Sequence, residues 1–446
     1  LPAGPRRLGA GAARVTGVIG RLRHLVHRQV RPLRYRLLAP LLVHEKLSAE
    51  QLQRYQQQQF SAMVRFAINN TAYYRDSYAG IAGPDFDADA LPVLSKQAVV
   101  EQRDAMVAGG LDQPGLKLGY TGGSTGKPLA FYYTDEKTEQ MRAGMMRSYR
   151  WAGWRPGDKV LNFWGAQQDI SRPRTAGDRL RRFAAAERTL GAYEFTEADL
   201  LQWARQVQSW KPVLLQGYAS ILAELAQFVR HRKMRMPASI RGVFTTAEVL
   251  YDWQRAAVES AFSCTVFNQY GSREVPNIGL QCAHGNFHVF SDLVKLESLP
   301  VDGEHRLLGT SLTNRVMPMI RYEIGDLGRL QQGQCSCGSP FPLLALDVCR
   351  KNDLVVTPGG RKIYPSYFVH LLDGHEGIEQ FQFVQTSPSS LVLRLCAPQD
   401  IAGNVELALQ SRLRADIGAD MTFRVEVVDS IPRSRAGKHR FVIGIT

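Results

Sequence analysis

Apolar positions change period along the chain. Over residues 45–78, "SAEQLQRYQQQQFSAMVRFAINNTAYYRD" sets Leu52, Tyr55, Phe60, Val64 and Phe66 at roughly helical spacing. Ser48 with Gln51 three positions on is a capping-box signal, so a helix is expected there. "LPVLSKQAVVEQRDAMV" predicts a second, short helix opening at Ser95. From 116 the period shortens, and "LKLGY" and "PLAFYYT" read as strands flanking a glycine-rich stretch. A helix (135–152), a strand (Lys159–Trp164), a helix (197–209) and a strand (Val213–Gly217) follow. Then come a helix capped by Ser220 (220–232), a strand (Gly242–Thr246), a helix (250–262) and a strand (Thr265–Asn268). Strands alternating with helices at this spacing predict an α/β fold with a mostly parallel sheet covered on both faces. Residues 286–330 read as antiparallel strands, and "RKNDLVVTPGGRKIYP" opens a small α+β unit that runs to the end. The expected organisation is a basic arm (1–44), a large domain (45–352) and a small domain (353–446), with the boundary near Asp353.

Length and composition fit this division. A chain of 446 residues is too long for one ordinary core. Hydrophobic residues at 44% and charged residues at 22% are a globular composition. No apolar run is long enough to span a bilayer.

Charge changes the picture at one end. The formal charge is +14, and residues 1–44 hold nine arginines (6, 7, 14, 21, 23, 28, 31, 34 and 36) with no Asp or Glu. The stretch therefore carries 9 of the 14 charges and is a candidate for contact with an anionic membrane surface, nucleic acid or another acidic partner. Its acid-poor, Arg-rich composition is also that of a transit peptide, and a helical arm packed on the body with its arginines in solvent is the plainer reading. Arginines interrupt the apolar residues here, so no typical signal peptide is read. Three of the six cysteines sit in short metal-like spacings, which favours a reducing cytoplasm, with membrane association left open through the arm.

Chemistry concentrates first in "YTGGSTGKP". Gly122, Gly123 and Gly126 let backbone N–H groups approach an anion, Thr121, Ser124 and Thr125 add hydroxyl donors, and Lys127 adds a positive charge. Together they make a cradle for a polyphosphate. The spacing is not a P-loop, because three residues separate Gly122 from Gly126 and Pro128 follows the lysine. A second cluster pairs Cys282-x-His284 with Cys335-x-Cys337, a donor set that suits closed, tetrahedral structural zinc. His288 is the rival fourth ligand.

The glycine-rich stretch resembles the signature loop of the adenylate-forming (acyl/aryl-CoA ligase) superfamily. The nearest likeness is to the phenylacetate-CoA ligase family, in particular its relatives encoded in capsule and polysaccharide gene clusters. Five blocks in the family's order carry the resemblance, which covers roughly residues 45–446. In "FNQYGSREV" (267–275) it implies that Tyr270 packs on adenine and Glu274 holds Mg2+, with Asn268, Gln269 and Gly271 in the same nucleotide block. "TTAEVL" (245–250) would supply the other wall of the adenine slot through Ala247 and Glu248, where other members have glycine before this position. In "IRYEIGDLGRL" (320–330) Asp326 would grip the ribose hydroxyls. "RKNDLVV" (350–356) would place Arg350 near the ribose and the hinge at Asp353. "IPRSRAGKHRF" (431–441) would bring Lys438 from a mobile small domain to the reacting carboxylate and α-phosphate.

The resemblance implies ATP-dependent activation of a small carboxylic acid to acyl-AMP with release of pyrophosphate. Transfer to a thiol, usually that of coenzyme A, follows after the small domain rotates. Transfer to an amine, a hydroxyl or a carrier-protein thiol in polysaccharide or secondary-metabolite biosynthesis is the alternative. Phe163 and Trp164 in "LNFWGAQQD" would suit an aryl acid. A homodimer is compatible with the family. A nucleic-acid-binding protein using the arginines and a zinc knuckle is a third reading, weakened by the lack of interleaved aromatics in the arm apart from Tyr35.

Overall fold

The computed structural model describes residues 17–81, 86–120, 129–164, 175–192, 195–301, 303–350, 355–360, 362–363, 367–368, 371–372, 375, 377–418, 420–432 and 439–445. The basic stretch forms α1 (Val18–Val30) and α2 (Pro32–His44), and Pro32 opens α2 at the first helical position, where a missing N–H costs nothing. In α3 (Ala49–Asn70) the capping box is present: the Ser48 hydroxyl accepts from the Gln51 N–H at 3.2 Å, and the Gln51 side chain accepts from the Ser48 N–H at 2.8 Å. The expected helix breaks once, at Thr71, whose side chain caps α4 (Ala72–Ser77). Ser95 caps α5 (Lys96–Gln102), as its sequence position predicts. β1 (Lys117–Tyr120) and β2 (Ala130–Tyr133) pair antiparallel on either side of the glycine-rich stretch. Residues 121–128 lie outside the described residues.

Next come α6 (Asp135–Trp151), β3 (Val160–Trp164), α7 (Ala176–Ala185), β4 (Glu187–Gly191), α8 (Glu197–Trp210), β5 (Leu214–Tyr218), α9 (Ala219–His231), β6 (Gly242–Thr246), α10 (Asp252–Phe262) and β7 (Thr265–Tyr270). Strands β4-β3-β5-β6-β7 pair in parallel in that order. β3, β5 and β6 are buried almost throughout, which is why they read as near-continuous apolar runs. The parallel half has its own core, in which Phe163, Leu215 and Val266 meet Ile221, Leu222 and Leu225 of α9. Each such buried side chain contributes about 1.5–3 kcal/mol. Space is tight where β5 meets β3, since a Cβ at Gly217 would sit 2.8 Å from the Phe163 carbonyl oxygen. α7 and β4 had no counterpart in the sequence reading. β4 is a largely exposed edge strand, so it lacks the apolar run that marks its neighbours.

One capping assignment is corrected. Ser220 does not cap α9 but lies inside it, buried; the N-cap is Tyr218, which makes no side-chain cap bond. A carboxylate from elsewhere in the fold takes the role, as described below.

The antiparallel half holds β8 (Gly279–Gln281), β9 (Phe287–Val289), β10 (Val294–Val301), β11 (Glu304–Ser311), β12 (Tyr322–Gln331) and β13 (Leu343–Arg350). β8 pairs with β7, and the order continues β8-β9-β13-β12-β11-β10. Among the described residues, one eleven-stranded sheet thus joins a parallel and an antiparallel half.

β14 (Val355–Val356) and β15 (Lys362–Ile363) form a pair. β16 (Gln380–Ser387), β17 (Ser390–Cys396), α11 (Gln399–Asp416), β18 (Thr422–Val427) and β19 (Val442–Ile443) build a smaller domain with the strand order β18-β17-β16-β19. Its separate core packs Phe383, Leu393 and Leu395 against Val405 and Leu409 of α11. Asp353, the expected boundary, lies outside the described residues.

Residues 17–44 of the basic stretch are built into the large domain rather than lying on it with every arginine in solvent. Arg34 is buried on α2 and grips Glu139 of α6 in two bonds, from Nε at 2.8 Å and from Nη2 at 3.1 Å. Arg31 adds a third at 3.0 Å. Arg34 also faces Nε2 of buried His27 at 3.5 Å. Arginine can only donate, so that nitrogen is bare and the ring proton is on Nδ1, which donates to the Tyr35 hydroxyl at 2.9 Å. Burial, then the charges of Arg34 and Arg31, push His27 down to about 4, with Glu139 opposing. Between pH 6.5 and 4 the unfolded chain therefore binds this proton and the folded one does not. Stability present above pH 6.5 is lost as the pH falls through that window. Urea unfolding midpoints are expected to drop between pH 6.5 and 4.5, and to drop less in His27→Gln; equal pH slopes for the two proteins would contradict this account of His27.

Candidate active site and metal centre

Ligands of open α/β sheets bind outside the carboxyl ends of parallel strands. Here β5, β6 and β7 end together: Gly217 pairs with Thr245, which pairs with Asn268, and Tyr218 pairs with Thr246. The register therefore brings "TTAEVL" and "FNQY" to one edge. Ala247, Glu248, Asn268, Gln269 and Tyr270 are all half-buried there, neither core nor open surface. The Thr245 hydroxyl donates to the Asn268 carbonyl oxygen at 3.2 Å, and the Gln216 amide donates to Gln269 at 3.0 Å. The Asn268 side chain is thus held from the adjacent strand β6, and that of Gln269 from β5, one strand further on.

Asp326 reaches the same edge from β12. The Tyr270 hydroxyl donates to its carboxylate at 3.1 Å. Arg350 stands directly across from Asp326 in the β12–β13 register. After Tyr270 the chain turns sharply. Ser272 N–H donates to the Val275 carbonyl and Val275 N–H donates to the Ser272 hydroxyl, each at 3.0 Å. At Gly271 a Cβ would lie 3.0 Å from the Asn277 nitrogen. The turn buries Glu274, whose carboxylate accepts from the Tyr322 hydroxyl at 3.1 Å.

Lys137, in the first turn of α6, was missed by sequence reasoning because no motif surrounds it. Its ammonium donates to the Arg273 carbonyl at 2.9 Å and sits 4.2 Å from the centre of the Phe131 ring. Burial pushes its pKa down to about 8, partly countered by the Glu274 carboxylate. The hard oxygens of the Glu274 carboxylate are of the type that fits Mg2+, with the Lys137 ammonium as a competing cation beside them. Lys127, the residues Thr121, Gly122, Gly123, Ser124, Thr125 and Gly126, and Lys438 lie outside the described residues.

Glu248 links the two domains. One of its carboxylate oxygens accepts from the Ser220 N–H at 2.8 Å, so a charge caps the N-terminus of α9, where the helix dipole favours an anion. The other accepts from the backbone N–H of His439 at 2.7 Å. His439 follows Lys438 in sequence, and its ring bonds the Phe381 carbonyl of the small domain at 3.1 Å. Phe441 then meets Tyr251 and Trp253 of the large domain edge-on, at 5.1 and 6.2 Å between ring centres. The residue before Glu248 carries a backbone cost: Ala247 has φ +70, a conformation that favours glycine.

Four metal-type side chains do come together, with one member exchanged. Side-chain donor atoms of Cys282, His288, Cys335 and Cys337 all lie within 4.8 Å of one another. His284 was the expected fourth member; it instead lies exposed, with Nδ1 3.1 Å from the Ser336 hydroxyl. β9 pairs with β13 at His288–Leu343 and turns His288 inward. Its Nδ1 meets the Phe341 carbonyl at 3.1 Å, so the proton is there and Nε2 presents a lone pair 3.3 Å from Cys337 Sγ. Cys282 Sγ and Cys335 Sγ are 3.8 Å apart. Tetrahedral zinc with sulfur ligands needs about 3.8 Å between sulfurs, so the donors fit a closed zinc site. Gly285 and Gly338, both at positive φ, donate to the carbonyls of Cys282 and Cys335 at 3.0 Å and close the two tight turns.

Comparison with known proteins agrees with this architecture. Residues 355–444 match the CapK C-terminal domain family. The chain is 22% identical over 400 residues to the protein CapK of Staphylococcus aureus, covering 87% of this chain and 88% of that one. It is 28% identical over 313 residues to phenylacetate-coenzyme A ligase of Escherichia coli (strain K12), covering 65% and 69%. Among solved structures, 2-hydroxyisobutyryl-CoA ligase in its postadenylation state, bound to R3-HIB-AMP, superposes with a TM-score of 0.69 at 17% identity, covering 90% of this chain and 91% of that one. The chain is thus a homologue of CapK and of phenylacetate-CoA ligases, and it has the fold of the adenylate-forming ligases.

Metal analysis of the purified protein checks the donor set. About one zinc per chain is expected, retained in His284→Ala and lost in His288→Ala and Cys335→Ser. Retention in His288→Ala with loss in His284→Ala would restore the ligand expected from sequence.

Proposed function

We propose that the protein activates a carboxylic acid with ATP, forming acyl-AMP and pyrophosphate, and then passes the acyl group to a thiol, that of coenzyme A. The observation that carries this reading is the shared edge at which Tyr270, Asp326 and Glu274 stand beside the strand ends, with the neighbour of Lys438 bonded to Glu248. A carboxylate is a poor acyl donor because its oxide cannot leave. Attack of a carboxylate oxygen on the α-phosphorus forms the mixed anhydride and breaks the bond to the β-phosphate, so pyrophosphate leaves. Attack of the thiolate on the acyl carbon then releases AMP.

The protein's task is to position reactants and neutralise charge. Tyr270 would cover the adenine, with Ala247 and Glu248 on the other wall. Asp326 would accept from both ribose hydroxyls, with Arg350 beside it. Lys127 and the donors of 121–126 would hold the departing pyrophosphate, and half-buried Lys137 would add a cation next to Glu274. Bound Mg2+ would offset charge on the phosphates, with Glu274 as its ligand from this chain. Lys438 would bridge the incoming carboxylate and the α-phosphate. Breaking the bond between His439 and Glu248 would free the small domain to turn about Asp353 and admit the thiol. Zinc, held by four protein ligands with no open position, would fasten the β8–β9 turn to the β12–β13 connection and take no part in the reaction.

The acyl acceptor has a second reading, transfer to an amine, hydroxyl or carrier thiol. It is favoured because the C-terminal family match is to CapK rather than to a named CoA ligase. Of the two aromatic residues at the end of β3, Phe163 is fully buried in the core against Trp203, and half-buried Trp164, edge-on to Tyr218 at 5.3 Å, is the one that supports an aryl acid.

The test is pyrophosphate release with ATP and Mg2+ across a panel of aryl and small organic acids. At least one acid should stimulate release, and Lys438→Ala should lower it roughly 100-fold or more, in line with losing one preorganised charge. Equal release by both proteins would remove Lys438 from the adenylation step. With the active acid, AMP formation that requires coenzyme A supports thioester formation; AMP formation with an amine or carrier alone supports the second acceptor.

A further inference from the structure

A surface helix ordinarily buries its apolar stripe and shows solvent its polar face. α1 does the reverse. Val18, Ile19, Leu22 and Leu25 fall within about 120° of arc at 100° per residue, and all four are exposed, Val18 at 85% and Leu25 at 62%. The opposite face makes the contacts with the body. The Gly20 carbonyl lies so near Gly157 that a Cβ there would come within 2.1 Å of its oxygen. His24 stacks on Tyr35 at 5.5 Å, and His27 is buried against the same ring.

The outward stripe continues onto α7, which packs beside α1. Leu180 and Phe183, three residues apart on one face of α7, are exposed. The Arg23 guanidinium lies 5.0 Å from the centre of the Phe183 ring. Around this apolar band stand exposed cations: Arg21 and Arg28 on α1, and Arg179, Arg181 and Arg182 on α7. Asp178 is the acid on α7 and pairs with Arg181 at 3.4 Å.

We propose that this face is a docking surface for an anionic lipid bilayer, with α1 lying in the plane of the membrane interface. Three features select that occupant. The band is apolar at its centre and cationic at its rim, the pattern of a helix that sinks its apolar side chains below the headgroups and meets lipid phosphates with arginine. No helix among the described residues is long and apolar enough to cross a membrane, so the contact lies along the surface. A second copy would set like charge against like charge, since the rim carries Arg21, Arg28, Arg179 and Arg182 beyond the Asp178–Arg181 pair. Nucleic acid would satisfy the arginines and leave four exposed aliphatic side chains uncovered. This proposal does not rest on the catalytic reading, because none of its residues lies at the strand edge.

The test is co-sedimentation of the full chain with vesicles of phosphatidylcholine and phosphatidylglycerol at 7:3, against pure phosphatidylcholine vesicles. The expected result is binding to the anionic vesicles at least tenfold stronger than to the neutral ones, weakened by salt. Each of Arg21→Gln and Arg28→Gln should lower it about fivefold. Leu22→Glu with Leu25→Glu should lower it tenfold or more with the thermal unfolding temperature unchanged. Three outcomes would overturn the proposal. The wild type could fail to bind anionic vesicles. Binding could survive the double Leu→Glu change. Sedimentation velocity could show a dimer that the double change dissolves, which would make a second copy the occupant.

Discussion

The hydrogen bond from Tyr270 to Asp326 is where the two halves of the central sheet meet chemically. Tyr270 ends the last parallel strand, and Asp326 lies on an antiparallel strand several positions away in the sheet order. Neither half alone holds both groups. The antiparallel extension through β8, β9 and β13 exists at the right width to carry an aspartate to the carboxyl edge of β7. Everything assigned to nucleotide binding depends on that spacing, because the rim amides are aimed from β5 and β6 while the carboxylate comes from β12.

Two further devices hold this arrangement. The cysteine and histidine cluster brings β9 against the connection between β12 and β13, near the strand that bears Asp326, and a metal bound there would fasten the antiparallel half. Glu248 ties the small domain to the edge, using one carboxylate to cap a helix and to hold the backbone beside Lys438. A bond of this kind lies between parts that must separate if the small domain is to turn. It is a charge-assisted contact with three aromatic rings beside it. The positive φ of Ala247 places Glu248 for both bonds at the cost of local strain.

How much of this was legible in sequence follows from how local each signal was. The capping box at Ser48, the cap at Ser95, the alternation of helices and strands from 135 to 270, and the antiparallel stretch after 286 rest on neighbours within a few residues, and the structure has them. The cap of α9 rests on a carboxylate 28 residues away, so the local serine misled. The fourth member of the cysteine cluster was set by β9–β13 pairing rather than by spacing, and the nearer histidine misled in the same way. β4 escaped notice because an exposed edge strand need not be apolar. Lys137 escaped because burial, not pattern, makes it unusual. The inverted face of α1 was visible in the sequence only as basic charge; which side faced the body required the packing around Gly157 and Tyr35.

The central claim is that a nucleotide sits at the edge shared by Tyr270 and Asp326. Titration calorimetry with AMP tests it without knowledge of the acid. The account predicts saturable one-to-one binding by the wild type, and an affinity at least tenfold weaker in Asp326→Ala, since a carboxylate accepting from ribose hydroxyls is a charged hydrogen-bond partner. AMP binding of equal strength in the two proteins, with the same thermal stability, would contradict it.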